Sequence, residues 1–116
     1  MEDKKALAEN IMKEIQRRLN EVKELNAGWG KAVQQVFQDI GIAYRIKFAM
    51  DGTAEIEKKP ASEIKLKDAE ATVFCNVEDL QKILEGKLNA MEAMSSGVFK
   101  IEGSLDALLK LAPAIM

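Results

Sequence analysis

The sequence has no histidine, one cysteine, two prolines and few aromatic residues, 5% of its 116 positions. The first two shortages each remove a class of chemistry. Without an imidazole there is no Ser-His or Cys-His nucleophile pair, no histidine acid/base step and none of the usual zinc sites; an enzyme would have to move every proton with carboxylates, Tyr44 or lysines, no cluster of which stands out, so the chain reads as a non-enzyme with no cofactor and no metal. Cys75 alone cannot close an intramolecular disulfide, which fits a reducing compartment. With 17 basic against 19 acidic side chains the formal net charge is −2. No cationic surplus exists to neutralise a phosphate backbone, so nucleic acid is not an expected partner. No apolar run reaches the about 20 residues of a membrane-spanning helix, and Met1-Glu2-Asp3-Lys4-Lys5 does not read as a secretory leader. The expected location is cytoplasmic.

Hydrophobic residues make up 47% and charged residues 31% of the chain. Those proportions fit one folded domain over residues 1–116, able to bury roughly two thirds of its unfolded surface. Leu7, Ile11, Ile15, Leu19, Val22 and Leu25 recur every three or four positions and predict a helix over 4–25. Glu9 with Lys13 and Glu14 with Arg18 are acid-before-base pairs one turn apart on its wet side. Asn26-Ala27-Gly28 ends it. Trp29, Val33, Val36, Phe37 and Ile40 repeat the helical spacing and predict a second helix stopped by Gly41, although a strand could also begin at Val36.

Beyond Gly41 the period changes. Ile42, Tyr44, Ile46, Phe48 and Met50 alternate with Ala43, Arg45, Lys47 and Ala49, the signature of a strand with one apolar face. Asp51-Gly52 is a hairpin dipeptide and returns the chain along Thr53 to Lys59. After the loop Pro60-Ala61-Ser62, residues 63–68 alternate weakly through Ile64 and Leu66, and Ala71 to Val77 alternates strongly. With Val98 to Glu102 this makes five strands, the first four joined by hairpin-type links, and helices at both ends: an α+β fold with a mainly antiparallel sheet.

The last third is punctuated most clearly. Leu80, Ile83 and Leu84 have helical spacing and Gly86 closes that helix. Asn89, three residues before Glu92, caps the next one, which carries Met91 and Met94 as far as Gly97. Phe99 and Ile101 then alternate with Lys100 and Glu102, Gly103 ends the strand, and Ser104 caps a helix bearing Leu105, Leu108 and Leu109. The apolar pattern continues past Pro113 through Ile115 and Met116.

Four features invite a catalytic reading and have plainer ones. Gly28-Trp29-Gly30 lacks the third glycine and the preceding strand of a dinucleotide loop, so it reads as a helix break that folds Trp29 onto the core. Cys75 alternates with Val73 and Val77 and reads as a small buried hydrophobe. Glu78-Asp79 suits the first turn of a helix through the helix dipole alone. Glu55 and Glu57, beside Lys58 and Lys59, read as a solvated sheet face.

The succession Glu85-Gly86-Lys87-Leu88-Asn89, then Ala93-Met94-Ser95-Ser96-Gly97-Val98-Phe99-Lys100-Ile101-Glu102-Gly103-Ser104-Leu105, resembles the sterol carrier protein 2 family of lipid carriers. The match is most specific over 77–111. Family members commonly have proline after the asparagine, where this chain has Ala90, and a tryptophan in the second strand, absent between Thr53 and Lys59. The resemblance implies a five-stranded sheet covered by helices, with an apolar tunnel for fatty acyl chains, sterols or phospholipids and no catalytic residue. By position, the tunnel draws on Met91, Met94, Phe99, Ile101, Leu105, Leu108 and Leu109, with Ile115 and Met116 as a lid. Charged head groups would stay near the mouth, beside Lys87 or Lys100. The implied partner is a lipid or other hydrophobic small molecule, delivered with transient membrane contact. A second implication stays open: the same fold also serves as an accessory or dimerisation module without a lipid ligand, which would make a homodimer.

Overall fold

In this computed structural model, which describes residues 3–115, the Asp3 side chain accepts from the Lys5 amide at 3.0 Å and caps α1 (Lys4–Glu21). Ala8, Ile11, Met12, Ile15 and Leu19 form its buried face. The helix stops earlier than its apolar repeat. Val22 leaves helical geometry, a 3₁₀ turn occupies Lys23–Asn26, and Leu25 is exposed, so the predicted extension to Leu25 is corrected. Of the two predicted ion pairs, Glu14 meets Arg18 at 3.1 Å, whereas Glu9 reaches across to Lys58 at 3.8 Å.

The second correction is larger. Residues predicted as a helix from Trp29 to Ile40 contain β1 (Ala32–Phe37), the central strand of the sheet. Both of its faces are covered, and Val33, Gln34, Gln35, Val36 and Phe37 are all buried. A strand covered on both sides loses the period-two signal, and two buried glutamines then imitate the wet side of a helix. β2 (Ile42–Phe48) and β3 (Ala54–Pro60) form the expected hairpin, with Asp51 Oδ1 accepting from the Thr53 amide at 2.9 Å. Gly52 has φ +92°, and a Cβ there would collide with the Lys23 carbonyl, so the hairpin can press against the 3₁₀ turn after α1 only with glycine.

Residues predicted as a weak strand over 63–68 are instead two 3₁₀ turns, Ala61–Glu63 and Leu66–Asp68. They form a strap across the outer face of the sheet, pinned where Gln34 Nε2 donates to the Lys65 carbonyl at 3.2 Å. The strap delivers β4 (Ala71–Cys75) parallel to β1, and β5 (Lys100–Gly103) then pairs antiparallel to β4. The strand order is β3-β2-β1-β4-β5. The sheet is thus five-stranded and mostly antiparallel, but its membership differs from expectation and the link from β3 to β4 is a crossover.

Val77 begins α2 (Val77–Leu84) and does not extend β4; its amide is capped by Asp39, whose Oδ1 accepts at 3.3 Å. Next come α3 (Ala90–Ser96), α4 (Leu105–Leu108), a 3₁₀ turn at Leu109–Leu111 and α5 (Ala112–Ile115). The caps are those expected: Asn89 Oδ1 accepts from the Met91 amide at 2.8 Å, and Ser104 Oγ from the Ala107 amide at 3.2 Å. Helices cover the sheet face that carries Val33, Phe37, Tyr44, Ile46 and Val73. Arg18 ties three of them together. Its Nη1 donates to the Ala114 carbonyl at 2.9 Å and its Nη2 to the Leu84 carbonyl at 3.2 Å, while Glu14 accepts from its Nε at 3.1 Å.

Candidate functional site

The chain segments from Ala90 to Ile115 enclose a cavity of about 140 Å³. From α3 come Ala90, Met91 and Met94, and Phe99 closes the side toward the sheet. Leu105, Leu108, Leu109, Ala112 and Ile115 supply the other wall from α4 to α5. Every lining side chain is apolar, so an entering polar group would find no side-chain hydrogen-bond partner. Caps explain why the wall stands where it does. Asn89 starts α3 and Ser104 starts α4, and Gly97, left-handed at φ +83°, turns the chain between them.

The wall is thin on one side. Met91, Leu105 and Leu109 line the cavity yet are 57%, 58% and 59% exposed. They mark its mouth. Beside it runs an open groove of about 850 Å³ that shares Leu109 and Ala112 with the cavity. The groove is mixed in character. Trp29 packs edge-on against Phe48 at 5.5 Å, Lys110 Nζ lies 5.6 Å from the Trp29 ring, and Asn26 Nδ2 donates to the Lys110 carbonyl at 3.0 Å. On the far side, Ala90 and Ile115 separate the cavity from a recess of about 350 Å³ reaching Ile83, Gly86 and Leu88.

Of the residues the resemblance pointed to, the structure gathers Met91, Met94, Phe99, Leu105, Leu108, Leu109 and Ile115 around one space. Ile101 is elsewhere, in β5 opposite Val73. Met116 lies outside the described residues. Lys87 faces Glu85 at 3.6 Å, and neither Lys87 nor Lys100 borders the cavity. Ala90 and Ala112 were missed because a residue that makes space by being small carries no apolar signal of its own. A reader seeking a hole in place of a filling could have found them as the alanines within the leucine and methionine pattern.

Titratable groups take no part in the cavity. Burial pushes the Cys75 thiol up to about 12, opposed by Gln35 Nε2, which donates to Cys75 Sγ at 3.2 Å. A thiol held protonated is a poor nucleophile, and this one packs on the core face of β4. Among the described residues no three His, Cys, Asp or Glu side chains converge as metal ligands, and no helix is long and apolar enough to cross a membrane.

Against known proteins, the profile of the SCP-2 sterol transfer family matches residues 9–116. No curated protein matches the chain. Among solved structures, sterol carrier protein 2 like 2 from Aedes aegypti superposes with a TM-score of 0.69 at 19% identity, covering 96% of this chain and 98% of that one. A palmitated form of the same mosquito protein gives 0.66 at 19% identity and 92% coverage of both. The sec-alkylsulfatase Pisa1 from Pseudomonas gives 0.67 at 21% identity over 87% of this chain. Of that enzyme's length the present chain spans 15%.

Proposed function

The chain belongs to the SCP-2 sterol transfer family, and on that footing we propose that it carries a lipid by burying an acyl or sterol-like moiety reversibly in the cavity between α3 and α5. The observation that carries the proposal is the wholly apolar lining of an enclosed space whose mouth is made of exposed methionine and leucine. Binding there needs no catalytic group. Each methylene removed from water contributes about 0.8 kcal/mol, so volume and a mouth are sufficient. Met91, Met94, Phe99, Leu105, Leu108, Leu109 and Ile115 contact the ligand in this reading, with Ile101 in contact with it once the site has widened. Residues 1–116 act as one cytoplasmic domain.

At about 140 Å³ the cavity matches the apolar cavities of about 150 Å³ that take benzene or xenon, and it is too small for a long acyl chain. Loading therefore widens it. Flexible thioethers at Met91 and Met94 adapt with little strain, and movement of Ile115 joins the cavity to the recess behind it. The palmitated state of the Aedes aegypti protein supports an acyl ligand over a sterol. Native mass spectrometry followed by organic extraction, with titration of a fluorescent fatty acid, tests this. A co-purifying lipid and saturable uptake are expected; a clean apo mass with no uptake overturns the proposal.

One observation favours a second reading, a non-catalytic accessory or dimerisation module without lipid: the same fold occupies a small share of an alkylsulfatase. Under it, sedimentation velocity should show self-association while the fatty-acid titration stays flat.

A further inference from the structure

The outer face of the sheet carries Gln34, Arg45, Lys47 and Thr72 beside Val36, Ala43 and Phe74, and one end of it is recessed and basic. A recess of about 400 Å³ opens there between the start of β1, the end of β2 and the close of the strap. Lys31, Arg45, Lys47 and Lys67 line it, against Asp68 and Glu70 as its carboxylates, leaving two positive charges in excess. In a chain whose formal net charge is −2, that concentration is local and not a general property of the surface.

Arg45 lines the recess and is incompletely paired. Its side chain is only 18% exposed, its Nε is buried without a hydrogen-bond partner, and its ionic contact, Nη2 to Asp68, is 3.5 Å long. A guanidinium presents a planar fork suited to two oxygens of one anion, and here the fork is half engaged. Gln34, the register partner of Arg45 on β1, is buried beside it with Oε1 also unpartnered. Its amide cannot simply turn over, because Nε2 donates to the Lys65 carbonyl and to Thr72 Oγ1 at 3.0 Å. Lys47 contacts Glu57 at 3.5 Å, while Lys31 and Lys67 are exposed with no ion-pair partner among the described residues.

We infer that this recess is a binding site for a phosphate group, held by the Arg45 guanidinium and ringed by Lys31, Lys47 and Lys67. A phosphate dianion is opposite in sign to the positive excess there and supplies oxygen acceptors to the exposed part of the Arg45 guanidinium and to the unpaired Lys31 and Lys67. The inference does not rest on the lipid reading, since the recess and the apolar cavity share no lining residue. The open groove nonetheless touches both, through Lys31 and Glu70 at one end and Leu109 and Ala112 at the other. The phosphate is therefore either that of a soluble compound or the head group of a lipid lying along the groove.

Amide shifts of the ¹⁵N-labelled chain, titrated with inorganic phosphate and separately with monomeric dihexanoyl phosphatidic acid, test the site. Saturable shifts are expected at Lys31, Arg45, Lys47, Lys67 and Asp68, and none with chloride at equal ionic strength. Lys31→Ala and Lys67→Ala alter exposed side chains and should each weaken binding about two- to fivefold with the fold intact. Arg45→Lys keeps the charge but loses the fork, and should weaken it more than either alanine variant. Binding of the phosphatidic acid about tenfold tighter than phosphate, with the gain lost in Leu109→Lys, identifies a lipid head group; equal affinities identify a soluble phosphate compound. No saturation by about 20 mM phosphate, equal shifts at Lys82, Lys87 and Lys100, or indifference to both alanine variants overturns the inference.

Discussion

The half of the molecule built on α1 and the first three strands buries several large side chains completely, whereas in the half from Ala90 to Ile115 only Ala93 and Ala114 come that close and Phe99, Leu108 and Leu111 keep 4–6% exposure. Met12, Leu19, Phe37 and Ile46 are fully buried in the first. In the second the most deeply buried positions include Ala93, Ala107 and Ala114, while Met91, Leu105 and Leu109 stand in solvent. Burying a leucine is worth about 1.5–3 kcal/mol, and the second half forgoes that gain at several positions. The second region leaves apolar area beside a cavity unburied, which is what the proposed lipid site requires.

Truncation tests the contrast most strongly. Leu19→Ala opens a hole in a closed core and should cost about 4 kcal/mol, whereas Leu108→Ala, among short helices able to close in, should cost about 2 kcal/mol. Urea midpoints at unchanged slope measure both, and equal losses would erase the distinction. Next in size is the Arg18 tie between the two halves. Arg18→Gln removes two bonds to carbonyls of α2 and α5 and should cost about 1–2 kcal/mol, seen first as faster hydrogen exchange in α5.

At the mouth the order reverses, with stability quiet and binding loud. Leu105→Lys should shift stability by less than about 0.5 kcal/mol yet reduce fatty-acid affinity about tenfold or more, read from one thermal melt and one fluorescence titration. A large thermal loss would place Leu105 in the packed core after all. The smallest effect is one of pH. The folded Cys75 thiol is held near 12 against an ordinary value of 9.0. Between those values the native state retains a proton that the unfolded chain releases, so stability falls as pH rises above about 9. Alkylation of Cys75 at pH 8 should accordingly follow unfolding, and rapid labelling of the native protein would place the thiol at the surface.

Sequence reasoning worked where the chain makes its own local structure. The Asp51-Gly52 hairpin, the Asn89 and Ser104 caps and the Gly97 turn are all decided within a few residues, and each is found in place. It failed at β1 and at the strap, where the decisive partner is distant in the chain. Gln34 is a helix-like polar residue until Thr72 and the Lys65 carbonyl take up its Nε2, and Leu66 looks like strand until the strap leaves it exposed. The cavity was half legible: the methionines and leucines announce an apolar region, but whether they fill or enclose depends on Ala90 and Ala112, whose contribution is an absence of volume.

The parallel pairing of β1 with β4 predicts an order of assembly. β1, β2 and β3 are consecutive and joined by tight turns, so they can form before any long loop closes. β4 must wait until the strap has crossed two strands, and β5 and the helices behind it have no edge to join until β4 is seated. Phi-values should accordingly be high at Ile46 and low at Leu108, measured from folding and unfolding rates of their truncation variants. On that order the cavity between α3 and α5 is expected to close last, after the sheet that backs it is already in place.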